Sequence, residues 1–198
     1  MRICFATNNI HKIHEVQGLL GEGFQLVTLK EIGCEEELPE EQDTFEGNSF
    51  QKAEYVFKKY SLPCFADDSG LEVEALNGSP GVYSARYAGP QRSTEDNMNL
   101  LLKNMEGVIH RKAQFKAVIT FVAPDRIHQV EGIIGGLICQ EKKGTEGFGY
   151  DPVFLPDGYS KTFAEMSKQE KNKISHRAIA IRKLVEFLKP PGLGEANE

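Results

Sequence analysis

The chain has 198 residues, 40% of them hydrophobic and 26% charged, which suits one globular unit with a real core. A formal net charge of −6 and the lack of a long basic stripe argue against a nucleic-acid polymer as partner, but not against a small anion met by a local basic site. No apolar run is long enough to span a membrane, no apolar leader follows Arg2, and Cys4, Cys34, Cys64 and Cys139 show no paired or zinc-type spacing, so a cytoplasmic protein with reduced cysteines is expected.

Ile3 to Ala6 is a short apolar run and reads as a buried strand. Thr7-Asn8-Asn9 breaks it. Ile10, Ile13, Val16, Leu19 and Leu20 then recur at helical spacing, with Gly21 and Gly23 as the stop. Phe24 to Leu29 alternates as a second strand, which completes a β-α-β unit. Residues 31–43 are acidic and irregular. Asp43 and Glu46 stand at capping-box spacing and predict a helix start, with Phe50, Ala53, Phe57 and Tyr60 as its apolar face. Residues 64–76 read as a strand interrupted by an acidic turn, and 77–81 as a loop. A helix is expected over 94–106, with Met98, Leu101, Leu102 and Met105 inward. Ala113 to Ala123 and Ile127 to Cys139 predict a hairpin closed at Pro124-Asp125-Arg126. A glycine-rich loop, Gly144 to Gly149, leads to a short strand, Val153 to Leu155. Ile174, Ala178, Ile181, Val185 and Leu188 mark a last helix, and 189–198 reads as a frayed tail.

Asp67-Asp68-Ser69-Gly70 carries the most chemistry. It follows the apolar run Leu62 to Ala66, and two acids at the end of a buried strand are costly unless a cation or hydrogen bonds compensate them. Two readings stand side by side: a turn in which both carboxylates cap backbone N–H groups, or a Mg²⁺ ligand joined to a base that activates water. The acids lack the D-x-D spacing of an aspartyl-phosphate phosphatase. Thr7 to Lys12 opens a helix where free N–H groups favour an anion. Lys12 opposes the helix dipole there, so either a bound phosphate or plain solvation accounts for it beside an ordinary Asn cap. Acids between Glu35 and Asp43 could supply a second metal ligand or simply face solvent. Gly147-Phe148-Gly149-Tyr150-Asp151-Pro152 offers either a ring for stacking on a base or a turn with core aromatics. Ser175 reads as the cap of the final helix. That puts His176 and Arg177 in its first turn, where an anion or acceptor must compensate them unless they are solvated.

Together these segments resemble the inosine triphosphatase family, also called the Ham1 or non-canonical purine NTP pyrophosphatase family, from Ile3 to about Leu188. The carriers are Ala6-Thr7-Asn8-Asn9 with Lys12, Ala66 to Leu71, Pro80-Gly81-Val82-Tyr83-Ser84-Ala85-Arg86-Tyr87, Gly147 to Pro152 and Ser175-His176-Arg177. The resemblance implies an α/β fold: a curved mixed sheet flanked by helices, in one unit (1–198) of two lobes with the cleft between them. It implies a Mg²⁺-dependent hydrolase that cleaves ITP, dITP and XTP to the monophosphate and pyrophosphate. Asp68 would be proton acceptor and metal ligand, with Glu40 as the second metal ligand. Thr7, Asn8, Asn9, Ile10, His11 and Lys12 would line the triphosphate, and Ser69 would touch substrate. Phe148, Gly149, Tyr150, Asp151, Lys171, His176 and Arg177 would hold the nucleotide, chiefly its base, and donors around His176 and Arg177 would meet a 6-keto oxygen. A homodimer is also implied. One departure is visible: many members carry Glu-Asn where this chain has Gly47-Asn48, with Glu46 just before. The alternatives are a house-cleaning pyrophosphatase for modified pyrimidine nucleotides and a nucleotide-binding regulator without turnover.

Overall fold

A computed structural model describes residues 1–21 and 23–189; the expected tail, beyond Lys189, lies outside the described residues. β1 (Arg2–Phe5), α1 (Ile10–Gln17) and β2 (Gln25–Thr28) form the β-α-β unit, with the strands parallel. After α2 (Phe45–Tyr60) come β3 (Cys64–Val73), α3 (Thr94–Asn104), β4 (Lys112–Ala123) and β5 (Arg126–Ile138). β6 (Phe154–Pro156), α4 (Lys168–Ile174) and α5 (His176–Leu188) follow. One curled mixed sheet results, in the order β2-β1-β3-β4-β5-β6. β4 and β5 pair antiparallel up to Ala123 and Arg126, so Pro124-Asp125 is the tight turn of the hairpin.

The period-two alternation of strand side chains divides the core. Ile3, Phe5 and Phe65 face α1 and α5 with Ile119 and Leu184, whereas Cys4, Ala6, Cys64 and Ala66 face α2 with Ala53 and Val56. Phe5 and Phe65 stack with centroids 4.6 Å apart. Burying each such ring is worth about 1.5–3 kcal/mol. A third cluster, around Leu71, Leu101, Phe115, Phe154 and Phe163, fills the end of the sheet that carries β6. Cys4, Cys34 and Cys64 are buried and all four cysteines are free thiols. Among the described residues no helix is long and apolar enough to cross a membrane.

Three local expectations are corrected. The acidic turn does not exist: β3 runs unbroken through Asp67 to Gly70, paired with β4 at every residue. Its acids are stabilised in place by cations from flanking helices, so no turn is required. α2 is capped by Thr44, whose Oγ1 accepts from Gly47 N at 3.0 Å, and not by exposed Asp43. Its inner face is Phe45, Asn48, Ser49, Lys52, Ala53 and Val56; of the residues expected there only Ala53 is buried. Three of those inner residues are polar and find buried partners, which hid the face from a hydrophobic count. Finally, Ile174 closes α4, and Ser175 starts a separate helix by accepting from Ala178 N at 3.2 Å. α5 can press its first turn on β5 because position 132 is glycine. A Cβ there would lie 2.0 Å from the His176 carbonyl oxygen.

Candidate active site

β1 pairs with β3 only at Cys4–Cys64 and Phe5–Phe65. Beyond Ala6 the chain departs as Thr7-Asn8-Asn9, so Asp67 and Asp68 lie past the carboxyl end of β1, where a crevice forms in open α/β sheets. A cavity of about 450 Å³ opens there. That is within the range of small-molecule sites. Its walls include Thr7, Asn8, Asn9, Lys12, Glu40, Asp68, Ser69, Phe148, Gly149, Tyr150, Asp151, Lys171, His176 and Arg177. Ile10 and His11 are not among them. Ile10 is exposed, and the His11 ring stacks on Phe148 at 5.2 Å. Asn9 is the helix cap, its Oδ1 accepting from the backbone of His11 and Lys12.

The two neighbouring acids have opposite surroundings, because adjacent strand residues face opposite sides of the sheet. Asp67 accepts from Lys12 Nζ and from Arg177 Nε, both at 3.0 Å. Burial opposes its charge, yet Lys12, Arg177 and Lys52 hold the carboxyl well below the usual carboxylate range. Lys12 is therefore neither solvated nor left for the helix dipole to repel. Asp68 accepts from Asn48 Nδ2 at 3.0 Å and has Lys52 Nζ at 3.6 Å. Burial raises its pKa, and Lys52 and Lys12 do not offset that fully. A buried carboxylate with a raised pKa beside an open cavity suits proton acceptance.

Arg177 is spent on the scaffold. Besides Asp67 it donates to Glu15 and, through Nη2, to Ser69 Oγ at 2.9 Å. Glu15 also takes Lys171 at 3.0 Å, and Lys171 bonds Asp151 at 2.7 Å. Asp151 in turn accepts from Phe148 N at 2.8 Å, which fixes the glycine loop. Lys171 lies 4.8 Å from the Phe148 ring centroid. His176 is buried and stacks on Phe115 at 4.8 Å. Burial first, then Arg177 and Lys171, push its pKa well below the ordinary value, so the imidazole is neutral. Among the described residues its buried Nδ1 has no hydrogen-bond partner.

Glu40 accepts from Lys52 at 2.6 Å, so the Lys52 ammonium joins the carboxylates of Glu40 and Asp68. Among the described residues no group of three His, Cys, Asp or Glu side chains could hold a metal. Two carboxylates fit Mg²⁺, which completes its shell with water and phosphate oxygens, better than they fit zinc. Lys52, Asn48 and Glu15 were missed in the sequence. Asn48 and Lys52 are four apart on one face of α2, and Lys12 and Glu15 three apart on α1; only those spacings could have flagged them. Glu46 lies elsewhere, bonded to Lys116 at 2.8 Å.

A cleft of this kind, rich in buried cations around the buried acids Asp68 and Asp151, suits an α/β protein that handles a polyanion. The chain belongs to the Ham1 family, whose sequence model matches residues 3–187. A dITP/XTP pyrophosphatase of Flavobacterium johnsoniae is 50% identical over 188 residues, 95% of this chain and 98% of its own length. One from Porphyromonas gingivalis is also 50% identical, over 94% and 97% of the two chains. Among solved structures, the Staphylococcus aureus Ham1 protein is 40% identical with a TM-score of 0.88, covering 95% of this chain and 98% of that one. A dITP/XTP pyrophosphatase from Mycobacterium abscessus is 39% identical with a TM-score of 0.77, over 96% and 100%.

Proposed function

We propose that this protein hydrolyses ITP, dITP and XTP to the nucleoside monophosphate and pyrophosphate, removing non-canonical purines from the nucleotide pool. The relatives' names support the substrate class. One observation carries the chemistry: of two adjacent acids, Asp67 is held between Lys12 and Arg177, while Asp68 lines the cavity and meets only Asn48 and the more distant Lys52. Asp68 accepts the proton of a water that attacks the α-phosphorus. The bond from that phosphorus to the bridging oxygen breaks, and pyrophosphate leaves with its charge met by Lys12 and Lys52. Such positioned charge is the main resource in phosphoryl transfer. Mg²⁺ would be held by Asp68 and Glu40 and would supply charge neutralisation at the phosphates.

The base stacks at Phe148. Arg177 and His176 both line the cavity; three of the five N–H donors of Arg177 are held by Asp67, Glu15 and Ser69, which leaves the other two and the His176 ring to read a 6-keto oxygen. Adenine places an amino group there, and a site built around one hydrogen bond rejects analogues that lack it. The reading includes a two-lobed unit, supported by walls drawn from the segment after β1 and from the glycine loop before β6, and a cytoplasmic homodimer, supported by the family resemblance. The test is pyrophosphate release with Mg²⁺ from ITP, dITP, XTP, GTP, ATP and modified pyrimidine triphosphates. The first three should exceed ATP and GTP by about a hundredfold in kcat/KM. Preference for the pyrimidines, or no release from any substrate, would sink the proposal.

A further inference from the structure

The segment Pro80 to Tyr87 takes no part in the chemistry above, yet it walls the same cavity. Its 3-10 turn, Gly81–Arg86, lies against β3 at Gly70, where a Cβ would sit 2.3 Å from the Gly81 carbonyl oxygen. Ser84 Oγ accepts from Leu71 N at 2.9 Å and donates to Gly81 O at 2.6 Å. The Ser84 carbonyl accepts from the Tyr150 hydroxyl at 2.9 Å. The turn is thus tied to β3 and to the glycine loop, and it presents Arg86 from a fixed backbone.

The Arg86 guanidinium lies 5.2 Å from the Tyr83 ring centroid. Its nearest carboxylate oxygen, on Glu40, is 3.9 Å away, too far for a hydrogen bond. Among the described residues its N–H donors meet no acceptor. Lys12, Lys52, Lys171 and Arg177, by contrast, each bond a carboxylate. Glu40 therefore keeps Arg86 turned to the cavity without capturing it. The contacts also order the cavity. From the Phe148 wall they run through Lys171, Glu15 and Arg177 to Asp67, and from Asp68 through Lys52 to Glu40 and Arg86. With the base at Phe148 and the α-phosphorus at Asp68, the region of Glu40 and Arg86 is where the leaving end falls.

We infer that Arg86 binds the pyrophosphate end of the substrate, its fork spanning two oxygens of the terminal phosphates. A guanidinium suits that geometry better than an ammonium does. The inference rests on the proposed function, and calorimetric titration separates the two because it needs no turnover. Pyrophosphate and IMP are titrated, with Mg²⁺, into wild type and Arg86→Ala. The variant should bind pyrophosphate at least about tenfold more weakly, with IMP affinity unchanged. Unchanged pyrophosphate affinity, or an equal loss for both ligands, overturns the role of Arg86 even where wild type cleaves ITP. If Arg86→Ala does not fold, Arg86→Gln keeps the stem over Tyr83 and is held to the same outcomes.

Discussion

The two faces of β3 differ more than the two residues that define them. On the α1 and α5 side, Asp67 closes a network of Lys12, Arg177, Glu15, Lys171 and Asp151 in which every charge has a partner. On the α2 side, Asp68 meets one neutral amide and one lysine that it shares with Glu40. Identical side chains one residue apart thus take different roles. Two cations hold Asp67 as a support, whereas Asp68 is buried with partial compensation and lines the cavity, which is the setting the proposed base requires. The first face spends Arg177 and Lys171 on rigidity and shares Lys12 with the cavity, and the second leaves more charge for a ligand.

The largest effect should come from the open face. Asp68→Asn keeps the shape and a partner for Asn48 but removes the proton acceptor. Pyrophosphate release should fall about 10²–10⁴-fold while the chain stays folded. Full activity in that variant would mean that Asp68 is a bystander. Asp67→Asn tests the closed face and should do the reverse in kind. It leaves Lys12 and Arg177 buried with their main counter-charge gone, at a cost of about 3–5 kcal/mol by denaturant unfolding. A loss below about 1 kcal/mol would show that Glu15 alone can hold Arg177, and the contrast between the faces would fail.

Part of this contrast is legible in the sequence. The Asp-Asp pair after an apolar run, Lys12 in a first turn and Ser175 as a cap are local patterns, and local patterns survive in a linear chain. The β-α-β opening and the hairpin were readable for the same reason: their periods are set by neighbours. What was not legible depends on alternation across the sheet. Two adjacent acids read locally as a strand breaker, so Asp67–Gly70 resembles a turn in the linear chain. Their stability inside a strand comes from Lys12 and Arg177 at Asp67, the latter 110 residues away, and from Asn48 and Lys52 at Asp68. α2 was misjudged for a related reason. Asn48, Ser49 and Lys52 are polar yet face inward, because Asp68, Thr120 and Glu40 wait there as partners. Arg177 was legible as functional but not as structural: nothing in Ser-His-Arg says that Glu15, on the first helix, will take it.

His176 sharpens the comparison at smaller amplitude, since it sits in the closed network's neighbourhood without a bond to it. Its native pKa lies well below 6.5, through burial and the nearby Arg177 and Lys171. Below pH 6.5 the unfolded chain takes up a proton that the native imidazole refuses. Stability therefore falls as pH drops below 6.5, with a slope approaching about 1.4 kcal/mol per pH unit for this one group. Unfolding free energies between pH 5 and 7 should show a shallower acid slope in His176→Asn than in wild type. Equal slopes would place the native imidazole in a charged, solvated state that its burial does not allow.

The smallest effect is expected at Glu46, and it bears on the departure at Gly47-Asn48. Where many members carry a glutamate before the asparagine, this chain has a glycine, and its nearest acid is one residue earlier. Glu46 does not fill the gap. Neither it nor Gly47 lines the cavity, and its carboxylate is 2.8 Å from Lys116, on β4. Asp68 and Glu40 therefore have to hold a cation without help from Glu46; of the other acids lining the cavity, Asp151 is bonded to Lys171 and Glu37 lies on the loop before α2. Glu46 is 43% exposed at its side chain, so its ion pair is a surface one, worth about 0–1 kcal/mol. Glu46→Gln should leave ITP turnover and its Mg²⁺ dependence within about twofold of wild type, with at most about 1 kcal/mol lost in stability. A rise of tenfold or more in the Mg²⁺ concentration for half-maximal rate would draw Glu46 into the open face. The asymmetry between the two sides of β3 would then rest on Glu46 as well as on Asp68 and Glu40.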